Sequence, residues 1–221
     1  NQIAEFTSSP RVSVDAQPTP IEHDMASGLL SDFMRGGAIS YVHSRASNKN
    51  LMALTKAGVV NFILHIRDPR QCLLSNYWRM HKLGGWQEKR IYYNDIPLQY
   101  ENWSFEKQID WHIENVYVQY WVSWIEEWVK VVRDRNKPFN VKLTTYEQYA
   151  QNPPLFFFEI GKFYGLNWPY LEKEELLEAQ PNPPAINQGN IATWREEFTE
   201  NQIKNIQSLT PKELLSQFNW E

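Results

Sequence analysis

Apolar residues at 25, 29, 30, 33 and 34 of MASGLLSDFMRG recur at helical spacing and stop at Gly36-Gly37, which predicts a short helix over 25–36. AISYVHS (38–44) is rich in strand formers and alternates poorly, as a strand covered on both faces does. NKNLMALTKAG (48–58) has the spacing of a helix closed by Gly58, and VVNFILHI (59–66) is the strongest strand signal in the chain. Strand, short helix and strand within about 30 residues make a βαβ unit, whose strands run parallel and whose crossover is right-handed.

The strand at 59–66 runs into Arg67-Asp68-Pro69-Arg70. Asp68 is placed as the N-cap of a helix over 69–82, with proline at its first turn, and Gly84-Gly85 ends it. Residues 86–105 are aromatic, charged and aperiodic and read as an excursion over the surface. Trp111, Glu114, Val118, Trp121, Ile125, Trp128 and Val132 fall three or four apart, which predicts one long core helix over 106–134. FNVKLTTYEQYA (139–150) is a strand that breaks at Tyr146-Glu147. After Asn152-Pro153-Pro154, LFFFEIGKFYGL is a helix ending near Gly165. Residues 167–193 are rich in Pro and Asn, with a short acidic helix over 171–179. An EEFTENQIKNIQ helix and one opened by Thr210-Pro211 complete the chain. Residues 1–24 are polar and broken by Pro10, Pro18 and Pro20, and predict no firm element beyond a short helix end at NQIAEF.

Composition narrows the function class. A chain of 221 residues with 22 Lys plus Arg against 26 Asp plus Glu carries a net charge of −4. Bulk electrostatics therefore do not favour nucleic acid or an anionic membrane, and an anion site has to be local. Cys72 is the single cysteine, which excludes an internal disulfide framework and fits a reducing, cytoplasmic setting. No apolar run approaches the roughly 18 residues of a membrane span. No His/Cys/Asp/Glu cluster has the spacing of metal ligands, so no metal is expected.

Ligands of parallel α/β sheets sit beyond the carboxyl ends of the strands, where Arg67 is expected. A guanidinium can grip a phosphate with two parallel hydrogen bonds, and the helix start at Asp68-Pro69 adds free N–H groups. Ser75, two turns into that helix, can offer a hydroxyl to the same anion. The same residues also fit a plainer account, with Arg67 in a surface ion pair and Ser75 facing solvent.

The order of motifs decides between the two. Arg67-Asp68-Pro69, with Ser75 eight positions after the arginine, resembles the 3′-phosphate-binding segment of the sulfotransferases. Tyr41-Val42-His43 stands where that family's strand ends in Lys-Thr-His, 24 residues before the arginine. VKLTTYEQY resembles the strand ending in Tyr-Glu-Asp, and NPPLFFFEIGKFYGL the helix after it. The stretch from Gly189 to Arg195, with Phe198-Thr199, is similar to the Arg-Lys-Gly loop, its Gly-Asp-Trp-Lys and the following Phe-Thr. The resemblance runs in order over about 38–200.

It implies an α/β fold with a mainly parallel sheet flanked by helices, of the P-loop-NTPase-like sulfotransferase type, as a single domain over 1–221. It also implies transfer of a sulfuryl group from 3′-phosphoadenosine 5′-phosphosulfate (PAPS) to a hydroxyl or amine acceptor. His43 would be the general base, since an imidazole titrates near neutrality. His43 as an ordinary strand-end histidine is the simpler alternative, and His65, inside the strand, reads as structural. Arg67 and Ser75 would hold the 3′-phosphate and Tyr146 the adenosine side. Gln188 and Gly189 would bring the backbone close to the phosphate. The acceptor is a small molecule, carbohydrate or lipid, walled by 86–105 and 167–186.

Two departures temper the resemblance. The family's Arg-Lys-Gly reads Asn187-Gln188-Gly189, which removes two positive charges unless Arg70 or Arg195 replaces them. The family's first strand and its phosphosulfate loop have no counterpart, so residues upstream of Asn1 are expected. These departures suit a non-catalytic sulfotransferase-like domain that binds a nucleotide or a partner. A phosphoryl transferase is disfavoured for want of a Gly-Lys-Ser/Thr loop and a Mg²⁺ carboxylate.

Overall fold

The structure, a computed structural model, describes residues 25, 30, 43–82, 96–115, 117–166 and 191–221. The elements in chain order are α1 (Asn48–Lys56), β1 (Asn61–Ile66), α2 (Pro69–Lys82), a 3₁₀ turn (Tyr100–Asn102), α3 (Phe105–Glu114), α4 (Tyr117–Arg133), β2 (Asn140–Thr145), α5 (Tyr146–Gln151), α6 (Pro153–Phe163), α7 (Trp194–Glu197), α8 (Glu200–Leu209) and α9 (Lys212–Gln217). They divide between two compact units, residues 1–65 with 127–183 and residues 66–126 with 184–221.

In the first unit, α1 opens with the Ser47 hydroxyl accepting the Asn50 N–H at 3.2 Å. It closes at Gly58, whose φ of +72° lets the Val59 N–H return to the Leu54 carbonyl at 3.0 Å. Among the described residues β1 and β2 form a two-stranded sheet. The Asn140 N–H donates to Val60 O at 2.7 Å and the Thr144 hydroxyl to Leu64 O at 3.3 Å. The paired numbers climb together, so the strands are parallel. Phe62 packs edge-on against Trp128 and Phe139, each ring centroid 5.6 Å away. α5 and α6 pack on each other and α5 against β2. Each of these helices is started by its own cap: Thr145 makes a reciprocal capping box with Gln148, and Asn152 accepts the Leu155 N–H at 3.0 Å.

The described part of the second unit is mainly helical. α8 packs against α2 and α3, and α7 against α2. A stripe of fully buried side chains, Leu73, Leu74, Ile109 and Ile206, joins these helices.

The α/β class and most elements match the sequence pattern, and α2 spans Pro69–Lys82 with Asp68 capping it through Oδ1, which accepts the Arg70 N–H at 2.9 Å. The strand within 139–150 breaks at Tyr146 as the sequence predicts, where the Thr145 capping box turns the chain into α5. Three expectations need correction. The single helix over 106–134 is two helices, because Asn115 leaves helical geometry (φ −105°, ψ 54°) and sends its side-chain Nδ2 to Trp111 O at 2.8 Å. An asparagine amide competes for a helical carbonyl in this way while the apolar spacing runs on past it. The helix over 196–207 is interrupted at Phe198 and restarts from a Thr199–Gln202 capping box. The excursion over 86–105 is not all surface: Ile96 is buried and Tyr100 fully so. Of the strand at 38–44, His43 and Ser44 are not in strand geometry and 38–42 lie outside the described residues. So do most of the helix over 25–36 and all of that over 171–179.

Candidate functional site

Of the residues singled out in the sequence, His43 and Tyr146 belong to the first unit and Arg67 and Ser75 to the second. Gln188 and Gly189 lie outside the described residues.

The backbone beside His43 is held firmly. The Trp128 indole N–H donates to Ser44 O at 2.9 Å, and the Asn50 amide donates to Arg45 O at 2.9 Å. Arg45 forms a double hydrogen bond with the Glu127 carboxylate, Nε to Oε2 at 3.1 Å and Nη2 to Oε1. His43 itself is exposed, so its imidazole is accessible on an anchored main chain. Tyr146 is the first residue of α5, half-buried, with its ring 5.9 Å from that of Tyr149. It therefore rides on the capping box of Thr145 rather than on a strand end.

His65 ties β1 to β2 and packs edge-on against Phe156, as a structural histidine does. It is exposed although it sits in β1, and its Nδ1 lies 3.0 Å from Thr144 Oγ1. Because the Thr144 hydroxyl donates to Leu64 O, it accepts from His65, which puts the ring proton on Nδ1.

In the second unit Arg67 stands directly before the cap of α2. It is partly exposed, with Nε and Nη2 of its guanidinium closed off from solvent. Ser75 is half-buried on α2. The neighbouring charges are organised around Arg70, which is 1% exposed. Its Nε lies 3.0 and 3.1 Å from the two Asp68 oxygens, and its Nη2 donates to Oδ2 at 2.8 Å and to the Trp220 carbonyl. The guanidinium lies over the Trp194 ring at 3.9 Å, and Arg195 approaches the same ring at 4.4 Å. Gln71 and Thr193 hydrogen-bond reciprocally, Nε2 to Oγ1 at 2.9 Å and Oγ1 to Oε1 at 3.2 Å. Arg70, considered as a replacement for the absent Arg-Lys pair, is thus committed to Asp68 and sealed from solvent.

A second polar chain in this unit went unread in the sequence. The Tyr77 hydroxyl donates to Gln108 Oε1 at 2.6 Å and His81 Nε2–H donates to the same oxygen at 3.1 Å. Gln108 Nε2 donates to Tyr100 O at 2.6 Å, and the Tyr100 hydroxyl pairs with His112 Nε2 at 2.8 Å. Burial pushes the Tyr77 hydroxyl up to about 12, with Glu106 and Glu197 adding to the effect. Burial, with a smaller contribution from His81, pushes His112 down to about 3, so its ring is neutral. His81 is also lowered by burial, against the opposing effect of Gln108. Tyr77, His81, Gln108 and His112 are spaced along two helices, and that spacing was the available signal.

Among the described residues no group of three or more His, Cys, Asp or Glu side chains could hold a metal ion, and no helix is long and apolar enough to cross a membrane. A comparison with curated proteins returns no match. The family model described as the sulfotransferase domain matches residues 43–218, a span that begins at His43 and ends just past α9. With four-fifths of its length inside that match, the chain belongs to the sulfotransferase domain family: it has an α/β sulfotransferase fold and is a transferase of sulfuryl groups.

Proposed function

We propose that the protein, read as one sulfotransferase domain over the whole chain, moves a sulfuryl group from PAPS to a hydroxyl or amine of a small-molecule, carbohydrate or lipid acceptor. His43 takes the acceptor proton as the acceptor oxygen or nitrogen forms its bond to sulfur. The sulfur–oxygen bond to the 5′-phosphate then breaks, and adenosine 3′,5′-bisphosphate leaves. Arg67 and Ser75 hold the 3′-phosphate and Tyr146 the adenosine side, with Gln188 and Gly189 closing on the phosphate. A cytoplasmic location goes with the single cysteine.

The observation that carries this reading is the setting of Arg67. Partly exposed, it stands directly before the intact cap of a 14-residue helix, where free N–H groups and the positive end of the helix dipole favour an anion, and a guanidinium placed there can meet a phosphate with two parallel hydrogen bonds. Support for His43 as base comes from its accessible ring on a backbone fixed by Trp128 and Asn50.

Calorimetric titration with adenosine 3′,5′-bisphosphate is the test. Binding by the wild type that is lost in Arg67→Ala supports the donor site; no binding by the wild type overturns it. A second reading, nucleotide binding without turnover, is favoured by Asn187-Gln188 and by the commitment of Arg70 to Asp68. Transfer of labelled sulfate to a mixed acceptor panel, abolished in His43→Ala with bisphosphate affinity intact, separates the two.

A further inference from the structure

We propose that Arg70 is a positioning residue for recognition of the donor's 3′-phosphate: clamped by Asp68, Trp194 and Trp220, it sets the direction in which Arg67 meets the phosphate. The inference rests on the donor reading above and adds the residues that make that site selective.

The geometry is that of a clamp on the head of α2. Arg70 is the second residue of the helix, and its guanidinium fastens three separate chain segments. It holds the cap residue Asp68 at 2.8–3.1 Å, lies over the Trp194 ring at 3.9 Å and reaches the Trp220 carbonyl. One residue on, Gln71 ties α2 to Thr193 with two hydrogen bonds. The Arg67 carbonyl is engaged as well, accepting from Cys72 Sγ at 3.8 Å. The peptide unit that follows Arg67 and the cap residue after it are therefore held, and the start of α2 has little freedom to tilt or fray.

The lattice is a poor choice if stability were its purpose. Asp68 and Arg70 side chains are 5% and 2% exposed, so both charges are desolvated. Arg70 Nη1, Trp194 Nε1 and Trp220 Nε1 are buried donors with no acceptor among the described residues. A buried ion pair is often no better than well-packed apolar residues, and each orphaned donor is a further loss. What such a pair supplies is direction: a planar fork bonded on one edge and stacked on one face has a single orientation. Direction matters here because bidentate phosphate binding is lost by small displacements of the guanidinium.

The test compares two nucleotides that differ only in the 3′-phosphate, adenosine 3′,5′-bisphosphate and adenosine 5′-phosphate, titrated calorimetrically against the full chain. Arg70→Lys keeps the charge and the pairing with Asp68 but loses the planar fork. We expect its preference for the bisphosphate to fall about tenfold while adenosine 5′-phosphate affinity stays unchanged. In an Arg67→Ala background the same substitution should change neither affinity, because its effect runs through Arg67. Should Arg70→Lys not fold, Thr193→Val cuts the neighbouring tie without touching the ion pair and should lower the same preference. Equal losses for both nucleotides, losses that add to those of Arg67→Ala, or an unchanged preference in folded variants overturns the inference alone. Failure of the wild type to bind the bisphosphate overturns the donor reading and the inference with it.

Discussion

His43 and Tyr146 on one unit and Arg67 and Ser75 on the other are held by different means. In the first unit the supports are neutral hydrogen bonds to the main chain: the Trp128 indole on Ser44 O, the Asn50 amide on Arg45 O and the Thr145 capping box under Tyr146. An ion pair there, Arg45 with Glu127, has side chains 30% and 33% exposed. In the second unit the support is a desolvated charge lattice, in which Asp68 and Arg70 are 5% and 2% exposed and an indole covers the guanidinium. The difference teaches where directional accuracy is bought. The first unit anchors its candidate residues through neutral bonds to the main chain, and the second through charges withdrawn from water.

Removing one arginine from each unit tests this contrast most severely. Arg70→Ala strands Asp68 in the interior and should lower the unfolding free energy by about 3–5 kcal/mol. Arg45→Ala should cost less than about 1 kcal/mol, as pairs open to water do. Urea unfolding of the two variants checks both, and equal costs would break the comparison.

Acid is the next lever, and it acts through the second unit. His112 is neutral in the fold, with its pKa pushed down to about 3, whereas in the unfolded chain it titrates near the usual 6.5. Between those values the unfolded state binds more protons, so stability falls as the pH is lowered from about 6.5 towards 3. The slope from this one group is at most about 1.4 kcal/mol per pH unit. His81, lowered in the same direction, adds to it. His112→Gln should flatten the profile of stability against pH; a slope unchanged in that variant would assign the acid sensitivity elsewhere.

Smaller effects sharpen the first unit. Gly58 has φ +72° and open space where a Cβ would go, so Gly58→Ala should cost about 1–2 kcal/mol by backbone strain alone, seen as a lower Tm. The capping boxes offer a matched pair, one in each unit. Thr145→Ala and Thr199→Ala should each cost about 1 kcal/mol. Only Thr145→Ala is expected to disturb Tyr146, read as a change in tyrosine fluorescence or near-ultraviolet dichroism.

Most elements were legible because their signals are local. A strand of Phe, Ile and Leu, a cap at Asp68 followed by proline, and glycines at 58 and 165 with positive φ act within a few residues of the chain. The misplaced boundaries have the same origin. At Asn115 the apolar spacing continues through a residue whose amide turns back on the helix, and at Thr199 a capping box outweighs the pattern around it. His112 has no signal in the linear pattern beyond its place on a helix, yet tertiary packing buries it completely against Tyr100.

The family, the α/β class and the order of candidate residues along the chain were all present in the linear pattern, since each is written in short motifs with local physics. The partners of Arg70 were not. Its bond to Asp68 spans two residues and was within reach of sequence reasoning, but its contacts with Trp194 and with the Trp220 carbonyl, 150 residues away, exist only once the helices have packed. Sequence pattern encodes which residues seek burial; it does not encode which buried aromatic will meet which cation, because that meeting depends on distances that only the folded chain supplies.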